Sequence, residues 1–204
     1  MKADGVRLVL ASGSTTRRAL LKAAAVDVAV HPADVDEAAI RDSLLASRKN
    51  VSHECIAQAL ADEKAKAVSK AEPGALIIGA DQVLSFEGRL FDKPKSLADA
   101  REHLLALRGK THALHSATAL AENGNIVWQD VTTARLTMRN FSEAALDDYL
   151  ARVGDVVLTS VGAYQIEGPA VQLFDSVDGD HSTILGLPLL PLLKELRRRE
   201  VLPT

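Results

Sequence analysis

Cysteine is nearly absent from this 204-residue chain, and that scarcity already narrows what the protein can be. Cys55 has no partner for an intrachain disulfide and cannot build a cysteine-based zinc cluster, so ordinary packing in a helix is its expected role. Aromatic residues make up 3% of the chain and the net charge is −3, which argues against the stacking platforms and basic face of a general nucleic-acid binder. No apolar run approaches the ~18 residues that a membrane-spanning helix needs. The N-terminus MKADGVRLVL lacks the long apolar core and cleavage site of a secretory signal, so a cytoplasmic protein with no membrane partner is expected. No G-x-x-x-x-G-K-[ST] occurs, no G-x-G-x-x-G follows a strand, and the six histidines form no H-E-x-x-H. These absences count against a P-loop, a dinucleotide fold and a zinc hydrolase. Internal repeats, low-complexity tracts and Pro/Gly/Ser linkers are missing too.

What is present is a chain 47% hydrophobic and 25% charged, enough for one globular domain or two small lobes. Apolar patterning predicts strands at Arg7–Ala11, Val26–Val30 and Ala75–Ala80, and a hairpin of Val83–Phe86 with Arg89–Phe91 about Glu87-Gly88. A longer hairpin joins Thr111–Ala121 to Ile126–Met138 through Glu122-Asn123-Gly124-Asn125. Helices are predicted at Thr15–Ala25, Val51–Lys70, Ser96–Leu107, Ser142–Val153, Ala170–Ser176 and Leu187–Arg199. Ser96 and Ser142 serve as N-caps, and the basic run Lys194–Arg199 suits a helix C-terminus. Strands alternating with helices, plus a long hairpin, predict an α/β fold: a mixed sheet with flanking helices, in two lobes around a cleft. Residues 1–204 are taken as one domain.

Several residues could carry chemistry, each beside a plainer reading. The stretch LVLASGSTTRR makes a strand-to-helix turn in which Ser12, Ser14, Arg17 and free backbone N–H groups suit a polyphosphate. Ser14 is equally an ordinary N-cap, and Arg17 and Arg18 equally solvated residues. Asp81 stands where the strand LIIGAD runs out into a polar turn, a place for a cation ligand, a base or a turn-opening aspartate. Lys93 precedes Pro94 and is held extended. Lys64 falls in ALADEKAKAV, where a solvated charged face with Glu63 and Lys66 is the usual outcome. Asp34, Asp36 and Glu37 could hold Mg²⁺ or simply begin a helix. In SVGAYQIEGPA, Gly162 and Gly168 bracket Tyr164, Gln165 and Glu167, which could read a base or sugar or merely decorate an edge strand. His112 and His115, three apart on a strand, face opposite sides.

Taken in order, ASGSTTRR, ALADEKAKAV, GADQ, DKP, LRGKTH and SVGAYQIEG resemble the Maf family of nucleoside triphosphate pyrophosphatases, over Val6 to about Leu193. The resemblance implies a mixed α/β fold related to the inosine triphosphate pyrophosphatase group, with a cleft between two lobes. It implies cleavage of a nucleoside triphosphate between the α- and β-phosphates, giving monophosphate and pyrophosphate, with a divalent cation, Mg²⁺ or Mn²⁺. It makes Asp81 the catalytic proton acceptor and Ser12, Ser14, Arg17, Lys64 and Lys93 substrate-binding residues, with Glu37 helping to hold the metal. The residue types suit that reaction, because cations neutralise phosphate charge and a carboxylate can take a proton from water directly or through a metal-bound water.

Specificity positions in the resemblance are Thr16, Gln82 and Glu167. The dTTP/UTP branch typically has proline and arginine before the Arg17 position, GADT and GAYGIQG, where this chain has Thr15-Thr16, GADQ and GAYQIEG. Gln82 and Glu167 resemble the 7-methyl-GTP branch, whereas Thr16 stands where that branch has tryptophan. A guanine-type or modified triphosphate is therefore expected. Two alternatives stand: a non-catalytic nucleotide-binding regulator of cell division and septum formation, and a broad pyrophosphatase acting on inosine-type nucleotides. Relatives suggest a homodimer, for which the sequence carries no heptad.

Overall fold

The structure, a computed structural model, describes residues 6–47 and 50–203. Along the chain run β1 (Arg7–Leu10), α1 (Thr15–Ala23), β2 (Ala29–Val30), α2 (Glu37–Ser47), α3 (His53–Ala71), β3 (Ala75–Phe86) and β4 (Arg89–Phe91). There follow α4 (Leu97–Leu107), β5 (Thr111–Glu122), β6 (Asn125–Met138), α5 (Glu143–Val153), β7 (Phe174–Asp178), α6 (His181–Ile184) and α7 (Leu189–Arg198). They form two compact units. The first holds the residues up to Gln82, Ser116–Thr132 and those from Asp180 on; the second holds Val83–His115 and Thr133–Gly179.

In the first unit the strand order is β2-β1-β3-β5-β6. β1 pairs in parallel with β2, Val9 opposite Ala29, and with β3, Leu8 opposite Leu76 and Leu10 opposite Ile78. Strands covered on both faces read as unbroken apolar runs, which is why LVLA and ALIIGA contain no alternation. Leu8, Leu10, Leu76, Ile78 and Leu120 pack against Leu21 of α1 and against Leu192 and Leu196 of α7. Burying a side chain of this size contributes about 1.5–3 kcal/mol. That packing fixes the ends of β1 and β3 to one another.

In the second unit β4 pairs antiparallel with the far half of β3, Leu84 opposite Phe91, and β7 pairs antiparallel with β6, Leu136 opposite Val177. Parallel and antiparallel pairs together make the mixed sheet expected of this sequence. Ser96 and Ser142 accept from the backbone N–H groups of Asp99 and Ala145, capping α4 and α5 as their positions predict. Within this unit buried His112 meets the Tyr164 hydroxyl at 2.7 Å, and the Tyr164 and Phe174 rings lie edge to face at 5.0 Å. Among the described residues buried His112 Nδ1 has no hydrogen-bond partner, and burial pulls the imidazole down to about 4, keeping it neutral.

Four expectations are corrected. β3 does not stop at Ala80; it continues through Asp81 and Gln82 to Phe86, because the Asp81 charge is met by side chains from other elements. The short helix expected at Ala170–Ser176 is a 3-10 helix with other bounds, Pro169–Leu173, and Phe174 onward pairs with β6. The segment around Tyr164 is not an edge strand but lies among short 3-10 turns, with Gly162 at φ +78°. Cys55, on α3, is exposed rather than packed.

Candidate functional site

The turn after β1 is built by local hydrogen bonding. Ser14 caps α1 by accepting from the Arg17 backbone N–H at 3.3 Å, and its own N–H donates to Ser12 Oγ at 3.3 Å. Ser12 is buried. From the first turn of α1 the Arg17 side chain reaches inward. Its Nη1 donates to Ser12 Oγ and to the Ala80 carbonyl, both at 3.1 Å, and its Nε donates to the Gly186 carbonyl at 2.8 Å. Nη2 has no hydrogen-bond partner among the described residues. Burial lowers the proton affinity of this guanidinium, and the charges of Asp81 and Glu37 oppose that effect. The group is thus a fixed cation with one free edge.

Asp81 is buried on β3, and its Oδ1 accepts from Lys64 Nζ at 2.6 Å. The same ammonium lies 2.7 Å from Glu37 Oε1, at the start of α2. One lysine therefore bridges a buried carboxylate and an exposed one. Burial raises the Asp81 carboxyl above its ordinary range; Lys64 and Arg17 pull it down, and Glu37 pushes it up. Lys64 does not lie on a solvated face, since only 11% of its side chain is exposed. That face exists beside it, in the Lys66–Glu63 pair at 2.8 Å.

Gly79 explains how Lys64 arrives there. A Cβ on Gly79 would stand 2.3 Å from the Ala61 carbonyl oxygen and 2.8 Å from the Ala65 nitrogen, so α3 lies directly against β3. Gly79, Ala61 and Ala65 were not singled out by sequence reasoning, although small residues at matching positions on a strand and a helix are its visible trace. Gly186, Ser116 and Thr183 were missed as well, for nothing in their local sequence marks them.

Gln82 follows Asp81, and its amide is turned into the protein, toward Ser116 and the carbonyls of Thr183 and Ile184. Thr16 is half-buried on α1. Ser12, Ser14, Thr16, Arg17, Glu37, Lys64, Asp81 and Gln82 all belong to the first unit, while Lys93 and Glu167 belong to the second. Both of the latter are exposed, Lys93 beside buried Pro94. Among the described residues no group of three or more His, Cys, Asp or Glu stands together as a metal cluster, and no helix is long and apolar enough to cross a membrane.

Comparison with known proteins adds a family to this geometry. The model of the family described as Maf-like protein matches residues 7–199. A 7-methyl-GTP pyrophosphatase of Brucella abortus is 49% identical over 195 residues, covering 96% of this chain and 97% of the relative. Another protein of that name, from Mesorhizobium japonicum, is 50% identical over 191 residues, 94% of this chain and 95% of its own. A nucleoside triphosphate pyrophosphatase of Paramagnetospirillum magneticum is 50% identical over 196 residues, covering 96% of this chain and 100% of the relative. A solved HAM1 protein from Coxiella burnetii gives a TM-score of 0.42 at 18% identity, over 67% of this chain and 74% of that one. With a family match across residues 7–199 and relatives at about half identity over nearly their whole length, this chain belongs to the Maf-like protein family.

Proposed function

We propose that the protein hydrolyses nucleoside triphosphates between the α- and β-phosphates, releasing monophosphate and pyrophosphate, and that a 7-methylated or other guanine-type base is preferred. The observation that carries this reading is the Lys64 ammonium held between Asp81 and Glu37 beside an Arg17 fixed by three acceptors. Pyrophosphatase names among relatives at about 50% identity support it.

The Ser12 and Ser14 hydroxyls and the free edge of Arg17 bind phosphate oxygens at the start of α1, where the helix dipole favours an anion. Arg17 and Lys64 offset the charge that develops as the bridging P–O bond breaks. Asp81 orients the attacking water and takes its proton, and a carboxyl whose proton affinity burial has raised is suited to that role. Two hard carboxylate oxygens, from Glu37 and Asp81, converge on one cationic group, and these residues would hold a divalent cation such as Mg²⁺ or Mn²⁺. Held by those residues, such an ion would supply charge neutralisation and would lower the pKa of bound water. Exposed Glu167 accepts from the N1–H and N2 amino edge of guanine, or offsets the positive charge of a 7-methylated one.

Metal-dependent pyrophosphate release across a panel of triphosphates tests the proposal. Turnover of 7-methyl-GTP and GTP above dTTP and UTP is expected, and Asp81→Asn abolishes it in a folded protein that still binds nucleotide. Selectivity for dTTP or UTP overturns the base preference, and near-normal turnover in Asp81→Asn overturns the role of Asp81. Nucleotide binding with no pyrophosphate released from any substrate would instead favour the non-catalytic regulator.

A further inference from the structure

Residues 160–168, in the second unit, are held in a conformation that their own sequence does not favour. Gly162 and Ala163 are both left-handed, at φ +78° and +62°, and the second carries a Cβ. Strain of this kind persists only where surrounding contacts over-determine it, and it gathers at ligand sites. Tyr149, buried on α5, donates its hydroxyl to the Ala163 carbonyl at 3.1 Å. The Tyr164 ring folds back over Gly162, where a Cβ would lie 2.7 Å from Tyr164 Cε1 and 2.6 Å from Leu84 Cδ1. At the far end of that ring the hydroxyl meets His112 Nε2, on β5, at 2.7 Å. Next along the chain the Gln165 amide donates to Thr159 Oγ1 at 3.0 Å, and the Gly168 N–H closes a turn onto the Gln165 carbonyl at 3.0 Å. Exposed Glu167 is the third residue of that turn.

His112 is only 2% exposed, and among the described residues its Nδ1 has no hydrogen-bond partner. A buried polar atom left unpaired destabilises a fold, and a leucine of similar bulk would avoid it. What the imidazole supplies that leucine cannot is the hydrogen bond to Tyr164. We infer that His112 is a positioning residue for base selection: by fixing the Tyr164 hydroxyl it holds the turn that carries Glu167 in one pose. Tyr149 fixes the other side of the same strained pair. This role deepens the pyrophosphatase reading and rests on it for the contact between Glu167 and the base.

The test compares wild type, His112→Leu, His112→Gln, Tyr164→Phe, Glu167→Ala and the His112→Leu/Glu167→Ala double variant, by kcat/KM for pyrophosphate release from 7-methyl-GTP and dTTP. Displacing an oriented group by about 1 Å can cost as much as a hundredfold. The ratio of 7-methyl-GTP to dTTP is therefore expected to fall by about threefold to thirtyfold in His112→Leu and in Tyr164→Phe, while kcat for dTTP stays within about threefold of wild type. His112→Gln, whose amide can still meet the Tyr164 hydroxyl, keeps the ratio within about threefold of wild type. In the Glu167→Ala background His112→Leu moves the ratio by less than about twofold, the signature of residues acting as a unit. If Glu167→Ala shifts the ratio while His112→Leu and Tyr164→Phe do not, the inference fails and the role of Glu167 stands. If none of the three shifts it, the contact between Glu167 and the base fails, and the inference with it. Equal losses for both substrates in His112→Leu would reduce His112 to packing. Tyr164→Phe carries the same decision if His112→Leu does not fold. Should wild type release no pyrophosphate, the ratio is read from the affinities for 7-methyl-GTP and dTTP, so failure of the reaction and failure of the anchor stay distinct. Amide hydrogen exchange needs no nucleotide at all: residues 160–168 should exchange at least about tenfold faster in Tyr164→Phe, and unchanged exchange would overturn the anchor.

Discussion

Adding one methyl group at Gly79 perturbs the contact on which the Lys64–Asp81 pair depends. The new Cβ would lie 2.3 Å from the Ala61 carbonyl oxygen, 2.7 Å from the Ala65 Cβ and 2.8 Å from the Ala65 nitrogen. All three atoms belong to a helix packed against a buried strand, so no flexible side chain can swing aside. Carbon–oxygen contacts settle near ~3.3 Å, which requires α3 and β3 to separate by about 1 Å. Overpacking of this kind costs about 1–3 kcal/mol. For a chain of this size that lowers Tm by roughly 2–4 °C per kcal/mol. Lys64, adjacent to Ala65, moves with the helix and lengthens its 2.6 Å contact to Asp81. Because the Lys64 charge favours ionised Asp81, its retreat raises the Asp81 proton affinity further and shifts the acid limb of kcat/KM to higher pH. Thermal unfolding and a pH profile of pyrophosphate release on Gly79→Ala read both effects, with kcat expected to fall by up to about a hundredfold. A stable variant with wild-type kcat and an unmoved acid limb would refute the claim that this approach sets the site.

Glu37→Gln removes a charge that raises the Asp81 proton affinity, so the acid limb of kcat/KM shifts to lower pH; a limb that stays or rises contradicts the Glu37–Lys64–Asp81 coupling. Asp81→Asn is expected to melt no lower than wild type at pH 7. A carboxyl whose folded pKa lies above its unfolded value loses stability as pH rises between the two, and Asn mimics its neutral form. A lower Tm would mean that the Lys64 contact outweighs burial. His112, pulled from 6.5 to about 4, binds its proton more tightly in the unfolded chain, so stability falls as pH drops through that window, by about 3 kcal/mol in all. His112→Gln, compared with wild type by denaturant unfolding from pH 7 to pH 4, should lose less stability over that range, and parallel curves would reject the assignment.

What could be read from the sequence was what depends on near neighbours. The β1–α1 turn is legible because a buried strand, a capping serine and a helix start are each local, and Ser14 reaches its acceptor role within three residues. Lys64 is not, because the charge pattern around it is that of a solvated helix face, and the Lys66–Glu63 pair obeys that pattern while Lys64 does not. What buries Lys64 is the Gly79 contact from the neighbouring strand, which helical spacing cannot reveal. Asp81 reads as a strand end for the same reason: a carboxylate inside an apolar run ends it unless cations arrive from elsewhere, and here they arrive from α3 and α1. Gln82 is a specificity position by resemblance, and its carbonyl partners, at residues 183 and 184, lie too far along the chain to leave a local trace. Arg17 shows how far local reading reaches within one side chain. Its hydroxyl acceptor lies five residues away at Ser12, but the carbonyls that fix the rest of the guanidinium belong to Ala80 and Gly186. The strand-to-helix geometry of the turn can thus be seen in eleven residues, while the rigidity of the Arg17 guanidinium requires three separate parts of the chain to be folded together.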